Sequence, residues 1–244
     1  MNLIPKLAAI LSLGLQVSCA HDDEPVQPQT LKFYKQVPGW RAQATNYLLQ
    51  DYPRQDKRGQ PFNASTRKLR CIKLNNYGCI KGPDKWRGAI GYDSARHTAF
   101  QDAKYSLMAK AYLFKEIYVD RGKKSLNAMF GEYAPSDDCV GSDANQNEDG
   151  TCTKYNDVDA YTKFLARNLG MYTTDENGKR VLDVFSDAKI LNIFGQPNER
   201  FRQLMKYTSA YEIGWRYAKD EWIEYGIANM NRACINPSKE RCPL

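Results

Sequence analysis

Residues Arg70–Gly88 read RCIKLNNYGCIKGPDKWRG. Cysteines, an Asn-Asn pair, glycines and a Trp are set between basic residues, a density of turn chemistry that ordinary connecting sequence seldom carries. Asn75 and Asn76 can hydrogen-bond their own backbone and tolerate left-handed geometry, and Gly78 permits a tight reversal. Cys71 and Cys79 would clamp that reversal. The stretch therefore predicts a stapled, polar turn against which neighbouring elements are arranged.

Downstream, Asp102–Val119 has a helical pattern, with Ala103, Leu107, Ala111, Phe114 and Tyr118 on one face. Gly122 ends it. Ser125 is placed to cap a short helix holding Leu126, Met129 and Phe130, which runs out at Tyr133-Ala134-Pro135. A polar insertion covers 137–153, Val158–Leu169 resumes a helical pattern, and Tyr172–Val184 reads as a hairpin or loop. Asp187–Ala233 reads as mostly helical and Cys234–Leu244 as a clasped tail. Upstream, Phe33–Tyr52 spaces Trp40, Tyr47, Leu48 and Leu49 as a helix would, and Pro53–Asn63 reads as a surface loop. No internal repeat is evident. The expected architecture is a mainly α single domain over 33–244.

The chain has 244 residues, an apolar fraction of 42% and only 11 prolines, which argues against disorder and for a globular protein. Its formal charge of +7 favours an anionic partner such as a cell-wall polymer, lipid headgroups or nucleic acid. No basic run is dense enough to designate nucleic acid.

Residues 1–20 resemble an export signal: Lys6, an apolar run from Leu7 to Val17, then Ser18, Cys19 and Ala20. Cleavage after Ala20 and acylation of Cys19 are both open, with Gln16 standing where a lipobox usually has Leu. Residues 21–32 are acidic, Pro- and Gln-containing and poor in apolar side chains, as a flexible tether is. The expected location is the periplasm, the outer membrane as a lipoprotein, or the medium. Any membrane contact is expected only through a lipid on Cys19.

Beyond Cys19 six cysteines remain, in close pairs: Cys71 with Cys79, Cys139 with Cys152, Cys234 with Cys242. Six cysteines allow fifteen connectivities. Local pairing is the expectation, each bridge worth on the order of 2–3 kcal/mol. No CxxC spacing exists and His97 is the only histidine beyond the tether, so no metal or other cofactor is expected. From Asn145 the oxygen-rich segment puts Asp149 and Gly150 at the fifth and sixth places of a calcium loop, but Asn156 holds the twelfth, where a bidentate Glu belongs.

The order RCIKLNNYGCIKG, WRG, HTAFQDAKYSLMAKAYLF, FGEYAPSDD and DAYTKFLARNLGM resembles the lysozyme-like proteins of phage tails and bacterial cell envelopes. Those proteins carry an Arg-Gly-Ile-Arg-Asn-Asn-Asn-Pro-Gly-Asn-Ile type motif and a Tyr/Trp-Ala-Pro motif. The resemblance spans Arg70–Met171 and continues more weakly to Trp215. Tyr77 stands where the family usually has Pro, Cys71 and Cys79 replace a Gly and an Asn, and the loop after Pro135 is longer. Asn75, Asn76, Gly78, Ile80, Lys81 and Gly82 are also similar to the Asn-Asn-Leu-Phe-Gly-Ile-Lys-Gly signature of bacterial glucosaminidases. There the signature follows a helix ending in a Glu-Ser-Gly-Trp type motif that holds the catalytic acid. Here the echo, Glu212-Ile213-Gly214-Trp215, comes later, which implies a circularly permuted arrangement.

The resemblance implies a lysozyme-like helical domain that cleaves the peptidoglycan glycan strand as a muramidase or lytic transglycosylase; the alternative is a non-catalytic peptidoglycan-binding or structural protein. Breaking a glycosidic bond needs a carboxylic acid of raised pKa. Glu212, among Tyr207, Ala210, Tyr211, Ile213 and Trp215, is the first candidate, though Arg216 and Lys219 at helical spacing would favour its ionised form. Glu132 is the second, with Asp137 and Asp138 behind it. Asn75, Asn76, Tyr77 and Lys81 are implied to line the substrate groove, with Trp86, Tyr133 and Trp215 placed to meet sugar rings; a purely structural turn and aromatic core are the competing readings. His97 is expected to pack. The partner is a peptidoglycan strand, the protein a monomer.

Overall fold

A computed structural model describes residues 71, 74–82, 85–92, 97–139, 151–213 and 218–235. The expected export signal, Cys19, the tether, the 33–52 helix, most of the 143–156 loop, Trp215 and Cys242 lie outside the described residues.

Strands β1 (Ala89–Tyr92) and β2 (Thr98–Phe100) form an antiparallel pair, followed by α1 (Ala103–Val119) and α2 (Leu126–Tyr133). Next come α3 (Val158–Asn168), the hairpin β3 (Tyr172–Thr174) and β4 (Arg180–Leu182), then α4 (Glu199–Glu212), α5 (Asp220–Asn229) and a 3₁₀ turn, Met230–Arg232. The described part is helix-rich, as expected.

The helix starts follow from side-chain caps. Asp102 accepts from the Lys104 N–H, Ser125 from Ala128, Asp157 from Ala160 and Asn198 from Phe201. Past α1, Gly122 takes φ +65°, the left-handed turn that lets the chain reverse. Two details depart from expectation. The β1–β2 pair went unread, because β1 is short, carries a register irregularity between Ala89 and Gly91, and shows no clear alternation. Asp187–Asn198 is loop rather than helix, since Asp187 and Asn192 side chains accept backbone N–H groups of their own turns.

α1 is the centre of the molecule and is buried on nearly every face, not on one. Besides the expected apolar residues it buries Tyr105, Met108, Ala109, Leu113, Ser106, Lys110 and Glu116. α5 crosses it at Gly226, where a Cβ would stand 2.7 Å from the Leu107 carbonyl carbon and 2.8 Å from its oxygen. Only a glycine allows that approach. One core cluster joins α1, α2, α3, α4 and α5 through Leu107, Phe114, Met129, Leu165, Leu204 and Ile223. A second packs Trp86, Phe100, Met108 and Leu113 against the β1–β2 side.

Two of the expected disulfides, Cys71–Cys79 and Cys139–Cys152, are present with Cα separations of 5.4 and 5.2 Å. Cys234 is also disulfide-bonded; Cys242 is outside the described residues.

Candidate functional site

The Asn-rich turn is built as its residue types require. Asn75 and Cys79 take φ +52° and +47°, and the Cys71–Cys79 bridge closes the reversal. Asn76 is fully buried. Its Oδ1 accepts the Ile80 N–H at 2.8 Å, and its Nδ2 donates to the carbonyls of Ile80 and Thr98, each at 2.8 Å. Backbone bonds from Thr98 to Ile80 and from Phe100 to Leu74 lash the turn to β2. Gly78 fits beneath because a Cβ would meet Lys110 Cβ at 3.2 Å and Ile80 Cγ1 at 3.1 Å. The turn thus lies directly on the middle of α1.

This burial corrects several expected substrate contacts. Asn76 is an internal splice of the turn, with its amide spent on backbone. Tyr77 is fully buried, its N–H on Ser106 Oγ and its ring 5.2 Å from that of Trp222. Trp86 is 1% exposed in the second core cluster, its indole N–H on the Lys81 carbonyl. None of these three presents a side chain for a sugar. Asn75 is half-buried with its amide on the Phe100 carbonyl, and Lys81 is exposed and paired with Asp138 at 2.9 Å. Glu132 is likewise engaged elsewhere: Arg121 holds it together with Glu116.

Glu212 has a different setting. It ends α4 half-buried, and Tyr161 on α3 donates its hydroxyl to the carboxylate at 2.8 Å. Tyr133, at the end of α2, donates its hydroxyl to the Gly78 carbonyl of the turn and lies close enough to the Glu212 carboxylate for each to shift the other's proton affinity. The two distant segments singled out in the sequence therefore meet, with Tyr133 as the bridge between them.

The electrostatics are set by burial. Desolvation raises the pKa of Glu212; Lys110, the Tyr161 hydroxyl, His97 and the Tyr133 hydroxyl oppose it, in that order. Lys110 is fully buried on α1, its pKa lowered to about 8 by burial although Glu212 pulls it upward. It reaches Ser209 Oγ at 3.3 Å and lies 5.8 Å from the Tyr133 ring centroid. Burial and Glu212 push both tyrosines well above the ordinary phenol range, so they remain donors. Among the described residues, those acting most on the Glu212 charge are a lysine, two tyrosines and a histidine.

Lys110, Tyr161 and His97 were not assigned to this site from sequence. Lys110 had one legible signal, a lone cation inside the apolar run LMAKAYLF; Tyr161 had none beyond helical spacing. Tyr211 stacks on Tyr161 at 3.9 Å and is 39% exposed, forming an aromatic rim beside the acid. Among the described residues no group of His, Cys, Asp and Glu could hold a metal ion. No family model matches the chain, and no curated protein matches it.

Proposed function

We propose that this chain is an exported peptidoglycan hydrolase that cleaves the glycan strand, with Glu212 as general acid. The observation that carries the reading is a half-buried carboxyl of raised pKa at the end of α4, held by the Tyr161 hydroxyl and next to Tyr133, whose own hydroxyl is on the Asn-rich turn. The resemblance to lysozyme-like and glucosaminidase sequences, in circularly permuted order, supplies the substrate class. The disulfides agree with an oxidising compartment, periplasmic or extracellular.

In this reading the Glu212 proton passes to the glycosidic oxygen as the bond to the sugar's anomeric carbon breaks. The carboxylate left behind is stabilised by Lys110 and by the Tyr161 hydroxyl, both in place before the charge forms. The attacking group in this reading is water or the sugar's own hydroxyl, and its proton returns to Glu212. The first gives a reducing end, the second an anhydro end.

Digestion of purified sacculi with mass analysis of products tests this. Glu212→Gln is expected to lose roughly 10²-fold or more in rate with an unchanged circular dichroism spectrum. Intact sacculi after long incubation with the wild-type chain would refute it. One feature favours the second reading, a non-catalytic wall-binding protein: a buried cation and a carboxyl facing each other also tie α1 to α4. A binder would pull down sacculi equally well with Gln at position 212.

A further inference from the structure

Three large apolar side chains stand in solvent just after the β3–β4 hairpin: Phe185 at 76% exposure, Ile193 at 92% and Phe194 at 80%. Each sits on a turn that the chain has stiffened. The Asp183 carboxylate accepts from the N–H groups of Phe185 at 3.1 Å and Ser186 at 2.9 Å. Asn192 Oδ1 accepts from Phe194 at 3.0 Å and Gln196 at 2.9 Å, and the Asn192 N–H closes the same turn on the Gln196 carbonyl at 2.8 Å. A Leu191–Pro197 bridge and the Asn198 amide on the Lys189 carbonyl secure its base. Connecting turns more often carry polar residues at such tips; here three large apolar side chains within ten residues are held out by hydrogen-bonded turns.

Cations stand beside the tips among acids of the same turns. Lys189 is exposed between the two turns, and Lys123 and Lys124 are exposed beside them, the Lys124 carbonyl accepting from Ala188 N–H at 2.8 Å. Of the nearby acids Glu199 is paired with Arg202 at 3.5 Å, Asp183 and Asp187 are held by backbone N–H groups and keep their charge, and Asp120 is exposed; the Lys124 ammonium lies 4.0 Å from the Tyr118 ring centroid. The whole chain carries a formal +7.

We infer that this edge docks on a bilayer containing anionic phospholipid, Phe185, Ile193 and Phe194 entering the boundary between headgroups and acyl chains while Lys123, Lys124 and Lys189 meet the phosphates. Such binding needs projecting apolar side chains beside cations and imposes no shape on its target. A protein partner or a second copy needs a complementary face of about 800 Å² per side, which separate turn tips do not make. The contact is independent of any lipid on Cys19 and of the chemistry at Glu212. Lys110 lies mid-helix on α1, and Lys123 and Lys124 follow that helix's C-terminal end, about 14 Å farther along the axis at ~1.5 Å per residue.

The test compares the full wild-type chain with F185S/I193S/F194S by co-sedimentation with vesicles of mixed phosphatidylglycerol and phosphatidylcholine, and of phosphatidylcholine alone. Both proteins carry the same N-terminal segment, so their difference isolates the tips. The triple variant, with unchanged circular dichroism, is expected to partition at least roughly tenfold more weakly on anionic vesicles. K123E/K124E/K189E should lose about fivefold per lysine there and nothing on phosphatidylcholine. In Phe194→Trp the added indole emission, measured as the difference from wild type, should shift to the blue on vesicles and be quenched by brominated acyl chains. Equal partitioning of wild type and triple variant, or a difference emission of Phe194→Trp that vesicles leave unchanged, overturns the inference. A concentration-dependent dimer lost in the triple variant, with no difference on vesicles, overturns it in favour of a second copy.

Discussion

Replacing Lys110 with Met exchanges a buried ammonium for an apolar chain of similar length, and its effect on stability should depend strongly on pH. Burial lowers the Lys110 pKa from 10.5 to about 8. At 1.36 kcal/mol per pH unit, that interval corresponds to about 3 kcal/mol. Below pH 8 the lysine is charged in both folded and unfolded chains, and the folded state carries the whole cost. Between pH 8 and 10.5 the unfolded chain keeps the proton while the folded chain gives it up, so stability rises with pH. Above 10.5 the cost is gone. Urea unfolding with disulfides intact should therefore find Lys110→Met more stable than wild type at pH 7, by up to about 3 kcal/mol, with most of the gap closed at pH 10. Groups that titrate alike in both proteins cancel in the difference; Glu212 does not, and the loss of Lys110 beside its carboxylate subtracts from the gap at pH 7. In the same variant Glu212 loses the strongest influence opposing its raised pKa, so the alkaline limb of the proposed glycan cleavage should move to higher pH. A gap of the same size at both pH values would mean that Lys110 holds its proton as in water. The poorly solvated surroundings assigned to Glu212 would then be wrong.

Asn76→Ala strands the buried Ile80 N–H and takes a donor from each of the Ile80 and Thr98 carbonyls, the first of which keeps the Thr98 N–H; a loss of about 1–3 kcal/mol in denaturant unfolding is expected, whereas a purely substrate-binding Asn76 would leave stability intact. Gly226→Ala drives a Cβ against Leu107 backbone that cannot yield, costing about 1–3 kcal/mol and several degrees of melting temperature; an unchanged Tm would put α5 farther from α1. Removing the Cys71–Cys79 bridge as a double Ser variant, whose sequence separation is 8, should cost about 2–3 kcal/mol in chemical denaturation. Wild-type stability should also fall as pH rises from 4.5 through the raised folded pKa of Glu212, since the folded chain holds that proton longer. Glu212→Gln should remove this dependence.

The local chemistry of this chain was written in residue types that act within a few positions of themselves. Asp102, Ser125 and Gly122 marked helix ends because caps and left-handed turns involve only neighbouring backbone. Cysteines eight and thirteen residues apart were close enough to pair without knowledge of the rest. Asn75 and Asn76 announced a polar reversal, and Glu212 stood out as an acid among aromatics.

What tertiary structure alone decided is which side of each residue meets solvent. Trp86 and Tyr77 have the same chemistry whether they stack on a ligand or fill a core; only the packing of α1, α5 and the turn puts both inside. Asn76 could have offered its amide to a substrate, but three buried backbone groups from residues as distant as Thr98 claim it. Lys110 is a lone cation in an apolar helical run, but its burial follows only from the elements that close over α1 on every side, and that closure gives it and Glu212 their shifted proton affinities. Capping and turn energies act across a few residues and survive in the linear sequence. Desolvation depends on every element packed around a charge, so it exists only once the chain has folded.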